Sequence, residues 1–323
     1  MKRFKSILLI CNFDTKQHMA VERAVSLSHQ NEARLTVFSV VKDIPADMGM
    51  VITAVTPQEL FQQIINDRQE KVNALLADIN KQGVEAEAMV VTGTPFIEII
   101  RQVIRDKHDL VILAAEGKGG IKERLFGSTS MHLMRKCPCP VWVVKPEKRT
   151  KYKKIMAAVD VTGDSPDDFP DVARNSLNPL ILQLAASMSQ MDNSVFHIVQ
   201  VWSVFGEGYM QVRGNLSDKS IENSRKQSKK YFADKIDELL TGIDLKDLIC
   251  RRHMPRSEEV PKTIVELAKS EAIDLLVMGT VCRTGIAGFI IGNTAEKVLS
   301  EVNCSVLTVK PEGFVTPVTL EGT

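Results

Sequence analysis

Neither sign of charge prevails in this chain: Lys and Arg total 41 against 40 Asp and Glu over 323 residues. Without a net field there is little to hold a nucleic-acid backbone or an anionic membrane, which argues against both as partners. Long hydrophobic runs are also missing, since no apolar stretch approaches the roughly 20 residues that a bilayer span needs. The start, MKRFKSILLICNFD, is basic and then apolar, but Asn12 and Asp14 interrupt it early and no small-residue cleavage site follows. It reads as a first strand rather than a secretory signal. Metal-binding cysteine patterns are absent as well. Cys11, Cys137, Cys139, Cys250, Cys282 and Cys304 mostly lie in or beside apolar runs, as free thiols do in a reducing, cytoplasmic compartment. The Cys137-Pro-Cys139 pair has no second pair or nearby histidine cluster to complete a site. His18, His29, His108, His132, His197 and His253 are scattered, and no nucleophile, base and orienting group converge by motif. The sequence therefore predicts no catalytic residue and no metal ligand.

What the chain does contain is a repeat of itself. The stretch DLVILAAEGKGGIKERLFGSTSMHLMRKCPCPVWVVKPE, starting at Asp109, returns as DLLVMGTVCRTGIAGFIIGNTAEKVLSEVNCSVLTVKPE, starting at Asp274. Gly127 and Gly292, Cys139 and Cys304, and Lys145 and Lys310 are each 165 residues apart. The opening SILLICN similarly matches KIMAAVD, which ends at Asp160. Within each half, apolar strand patterns alternate with helical ones. Strands are predicted at residues 7–11, 35–41, 86–91, 110–114 and 141–144, and again at 155–159, 194–201, 248–252, 275–278 and 306–309. Helical patterns such as 19–29, 57–82 and 96–107 lie between them. Near-continuous apolar strands separated by helices imply parallel sheets covered on both faces. The expected fold is α/β: two tandem doubly wound, five-stranded domains at 1–147 and 154–312, with a basic linker at 148–153 and a C-terminal tail at 313–323. Residues 43–56 and 202–217 each follow a second strand, at the carboxyl edge where lids and contact loops belong.

The element order, Asp160 at the first strand's end, the strand DLLVMG and the distal GNTAEKVL followed by CSVLTVKP together resemble the universal stress protein family over essentially the whole chain. The tandem arrangement, the phrase GTVCRTG and the ending VKPEGFVTPV resemble its tandem-domain branch. In nucleotide-binding members the resemblance implies, after the fourth strand, Gly, two residues, Gly, nine residues, then Gly followed by Ser or Thr. Glycine lets phosphate oxygens approach the backbone, and the following helix offers N–H groups and a positive dipole end. Neither half keeps this pattern whole. The first reads Ala114, Gly117, Gly127 and Ser128, with Asn12 where the family's ribose-binding acid would be, and Glu116 close enough to repel a triphosphate. The second reads Gly279, Cys282, Gly292 and Asn293, with Thr294 one position late, Asp160 in place and Arg283 available to a phosphate. By the same alignment Val201, and Val40 in the first half, take the place whose backbone meets adenine.

Plain structural readings stand beside these. Asn293 and Glu296 have N-cap and N3 spacing, so Asn293 is expected to cap its helix, and Ser128 likewise. Gly279 is equally explained by strand–helix packing, Asp160 by ordering a loop and Arg283 by a surface ion pair. The resemblance implies a stress-linked regulatory protein binding ATP or AMP, with Mg2+ accompanying ATP, mainly through its second half. Two other readings stay open: a slow ATP hydrolase, and an interaction protein that holds no nucleotide or holds another small ligand such as a lipid or metabolite. Because an apolar edge strand invites pairing, the two halves are expected to pair through 141–144 and 306–309, with a homodimer as a further possibility.

Overall fold

The computed structural model describes residues 3–13, 16–43, 56–116, 126–147, 151–161, 172–204, 206–207, 217–280 and 292–320. Of these, the residues up to 147 and those from Phe314 onward form one compact unit, and those from Lys151 to Gly313 form another. The tail is thus part of the first unit, where the Arg101 Nε donates to the Thr319 carbonyl at 3.2 Å.

The first unit runs β1 (Ser6–Ile10), α1 (His18–Asn31), β2 (Arg34–Val41), α2 (Pro57–Asn80), β3 (Ala86–Thr92), α3 (Pro95–Asp106), β4 (Leu110–Ala114), α4 (Ser128–Lys136) and β5 (Val141–Val144). The second runs β6 (Lys154–Ala158), α5 (Val172–Asp192), β7 (Val195–Val199), α6 (Asp218–Leu240), β8 (Cys250–His253), α7 (Val260–Ser270), β9 (Leu275–Gly279), α8 (Asn293–Glu301) and β10 (Ser305–Val309). All pairings within each unit are parallel, in the orders β3-β2-β1-β4-β5 and β8-β7-β6-β9-β10. This is the doubly wound α/β arrangement that the alternating pattern predicts, twice.

Burial explains the strand sequences. LVILA in β4 and SVLTV in β10 are buried at every position, so both faces demand apolar or small side chains. The outer strands β3 and β8 read AEAMVVT and CRRH and are only partly buried, which admits charge. Helix starts are encoded locally. Thr56 and Glu59 form a reciprocal capping box at α2, and the Ser217 hydroxyl accepts from the Ser220 amide at α6. The expected second strand of the second half, 194–201, is shortened to Val195–Val199. Beyond it the Gln200 amide still donates to the His253 carbonyl at 3.0 Å and Trp202 pairs with Arg256 as an isolated bridge, so the ladder is interrupted rather than ended.

The cysteines pack as expected. None of Cys11, Cys137, Cys139, Cys250 and Cys304 is in a disulfide, and the Cys137 and Cys139 sulfurs touch at 3.6 Å. Cys282 lies outside the described residues. Burial pushes the Cys11 thiol up to about 12 despite the nearby Arg68 charge, so it is not a thiolate nucleophile near neutral pH.

Candidate functional site

In each unit the connections leave in opposite directions on either side of the first and fourth strands, so a crevice opens beyond their carboxyl ends. In the first unit this crevice is a cavity of about 500 Å³ whose lining includes Asn12, Val40, Arg68, Ala114, Glu116 and Thr129. A larger and more open depression, about 820 Å³, lies by the amino ends of β2 and β3 and is lined in part by His29, Glu32, Glu85 and Glu87. The switch-point cavity is the more enclosed of the two and is the one the topology creates, which makes it a candidate site.

Arg68 supplies the cavity's fixed cation. It projects from α2, its Nη1 donates to the Ser39 hydroxyl at 3.1 Å, and that hydroxyl donates in turn to the Cys11 carbonyl. Its guanidinium also lies 5.7 Å from the centre of the Phe13 ring. A chain of contacts therefore ties the cation to the end of β1. Sequence reading missed Arg68, because nothing in α2's pattern distinguishes it from the other charged residues of a long amphipathic helix.

The cavity lining also carries a carboxylate, Glu116. A Cβ built on Gly127 would come within 1.9 Å of the Glu116 Oε2, so Glu116 rests against the glycine just before α4. That is where a helix attracts an anion. The expected capping by Ser128 and Asn293 is not what forms: the N-cap residues are Gly127 and Gly292, neither α4 nor α8 has a side-chain cap, and Ser128 and Asn293 begin the helices themselves. Each residue lies one position too far into its helix for its side chain to fold back onto the N2 or N3 amide as a cap does.

The second unit holds its switch point differently. The Asn178 side chain, buried in α5, accepts from the Asp160 amide at 3.1 Å and donates to the Asp160 carbonyl at 2.7 Å. Gln200, also buried, accepts from the Val161 amide at 2.9 Å and donates to the Val201 carbonyl at 2.8 Å. The backbone of Val201, the position that the resemblance aligns with the adenine contact, thus already has a side-chain partner at its carbonyl. A Cβ on Gly279 would meet the Leu177 Cδ2 at 2.6 Å, which gives this glycine a packing reason to be small. Beyond β7, Trp202, Val204 and Phe232 form a small buried cluster with Val161 and Met254 packed on it. Lys310, almost fully buried, donates to the Thr280 hydroxyl at 3.2 Å where β9 ends. Asp160 lies two residues past the end of β6 and Gly279 ends the adjacent β9, with Gly292, Asn293 and Thr294 at the start of α8. Gly117, Cys282 and Arg283 lie outside the described residues, as do most of the two expected lid loops. Among the described residues no helix is long and apolar enough to cross a membrane.

The universal stress protein family model matches residues 3–145 and 151–310. Universal stress protein E of Escherichia coli K12 is 28% identical over 323 residues, covering 99% of this chain and 98% of that protein. Its namesake in Salmonella typhi is also 28% identical, covering 99% of each. Among solved structures, a functionally unknown protein from Pseudomonas aeruginosa PAO1 superposes with a TM-score of 0.71 at 20% identity, covering 97% of this chain and 95% of that one. A universal stress protein from Archaeoglobus fulgidus DSM 4304 gives 0.59 at 16% identity, covering 94% and 98%. At such identities the structural likeness speaks for the fold.

Proposed function

Because the chain belongs to the universal stress protein family, with two such domains in tandem, we propose that it is a stress-linked regulatory protein that binds an adenine nucleotide, ATP or AMP, in the crevice of its first unit. The observation that carries this reading is the cavity of about 500 Å³ at the switch point, which has the volume of a small-ligand site. Arg68 and Lys42 line it together with Val40 and Asn12. The second half remains the alternative that the sequence pattern favours, and the observation for it is the Asn178 clamp, which fixes the backbone from which Asp160 projects.

Calorimetric titration of ATP and AMP, with Mg2+ alongside ATP, separates the two. A charge-assisted hydrogen bond lost from the ligand costs about 1.5–3 kcal/mol, roughly tenfold to a hundredfold in affinity. Arg68→Ala is expected to weaken binding by that much and Asp160→Ala to leave it unchanged. The reverse result, with Cys282→Gly tightening binding, assigns the ligand to the second half with Arg283, Gly292, Asn293 and Thr294. No heat at millimolar nucleotide removes the nucleotide reading and leaves an interaction protein.

This reading includes pairing of the two halves through β5 and β10. Each is the last strand in its own unit's order and every residue in it is buried. The Val143 and Thr308 amides, which point away from β4 and β9, are expected to exchange hydrogen as slowly as those of the central strands β1 and β6. Fast exchange at both would remove the pairing.

A further inference from the structure

The second unit gathers three metal-binding side chains at a place the nucleotide reading does not use. His197 lies in β7, His253 ends β8, and Glu271 follows the last turn of α7. Ligand atoms from all three lie within 4.8 Å of one another. The His197 Nδ1 and His253 Nε2 are 2.9 Å apart, and the rings are within 8° of parallel with centres 5.1 Å apart. Nitrogens that close between centres that far apart put the rings edge to edge, with the two nitrogens facing each other. His197 is fully buried, and its Nε2 has no hydrogen-bond partner among the described residues. His253 and Glu271 are only partly buried, so the cluster is reachable from solvent.

We propose that His197, His253 and Glu271 form a binding site for a divalent transition-metal cation of the zinc class. Two imidazoles and one carboxylate are the donors such an ion prefers over oxygen-only cations. Tetrahedral zinc, with bonds of about 2.0–2.1 Å to nitrogen, spaces neighbouring ligand atoms roughly 3.4 Å apart. The facing nitrogens aim at each other, so each ring turns by roughly 35° to aim at the ion, the 2.9 Å contact opens and Glu271 closes toward it. The proton shared between the rings moves to the other nitrogen of the ring that carried it, so both imidazoles stay neutral. Burial, with the neighbouring His253, holds the His197 imidazole down to about 4, and burial lowers His253 as well. With that proton relocated, each facing nitrogen presents a lone pair to the ion. Three protein ligands leave one position for water or an exchangeable group.

Two cations oppose the ion locally. The Arg251 Nη1 lies 3.9 Å from the Glu271 Oε2, and the Lys154 Nζ donates to the Glu271 carbonyl at 2.6 Å. Arg251 is 55% exposed at its side chain and can turn into water when the carboxylate is claimed.

The test is calorimetric titration of Zn2+ into the full-length chain after chelator treatment, with circular dichroism confirming that each variant folds. Wild type is expected to bind one equivalent that His253→Ala and Glu271→Gln each weaken. The loss for His253→Ala should exceed about a hundredfold, the upper end of what even outer-sphere partners cost. Co2+ bound in place of Zn2+ should show tetrahedral visible bands that vanish in His253→Ala. Arg251→Ala should tighten binding, and Cys137→Ser should leave it unchanged. Absence of binding by the wild type, an equivalent that survives both His253→Ala and Glu271→Gln, or its loss in Cys137→Ser overturns the proposal. The two partly buried ligands are chosen because replacing His197 risks the fold.

Discussion

Glu116→Ala is expected to tighten ATP binding at least about tenfold, or 1.4 kcal/mol, while changing adenosine affinity little. The Glu116 carboxylate lies against Gly127 at the start of α4, where the phosphates of a ligand in the first-unit crevice would approach. Two like unit charges 4 Å apart repel by about 4 kcal/mol at an effective dielectric of 20. Solvent at the mouth of the crevice reduces that figure, and the tenfold change allows for it. The same substitution removes an anion from a helix N-terminus, a contribution of about 0.3–1 kcal/mol, so the ligand-free protein should melt roughly 1–4 °C lower. Calorimetry with ATP and adenosine, beside a thermal scan without ligand, measures all three changes. Equal tightening of ATP and adenosine would make the side chain a steric plug rather than an electrostatic one. Unchanged ATP affinity would place the phosphates elsewhere.

The largest loss of stability should follow Trp142→Ala. Trp142 is fully buried in β5, and replacing a core tryptophan with alanine costs about 3–5 kcal/mol from lost transfer energy and an unfilled cavity. The Arg23 guanidinium, itself buried, lies 5.7 Å from the ring centre and loses that face in the variant. In register, Trp142 is opposite Ile112 of β4, two residues before Ala114 at the crevice, so the defect should also loosen the nucleotide site. The first unit's melting temperature should fall by on the order of 10 °C. Denaturant unfolding should show a lower midpoint at an unchanged slope, which distinguishes lost native stability from altered compactness. Trp142→Phe should recover more than half of the loss. A change below about 1 kcal/mol for the alanine variant would mean that the surroundings collapse into the space.

Much of this molecule was legible in the linear chain because the signals are local. Near-continuous apolar strands mark buried parallel sheet, the 165-residue repeat doubles one domain, and capping residues such as Thr56 and Glu59 start helices from neighbouring positions. The family motif likewise pointed to Asp160 and Gly279, which lie just past and at the ends of adjacent strands. What no local pattern carries is which side chains meet after folding. Only the tertiary structure set Glu116 against Gly127, Leu177 against Gly279, Arg68 at Ser39, and Gln200 on the Val201 carbonyl. Histidines that look scattered in the chain become His197 and His253 in contact, with Glu271 beside them, because parallel pairing of β7 with β8 brings distant segments to one face. Helix and strand preferences depend on neighbours within a few positions, whereas the chemistry of a site depends on distances across the fold.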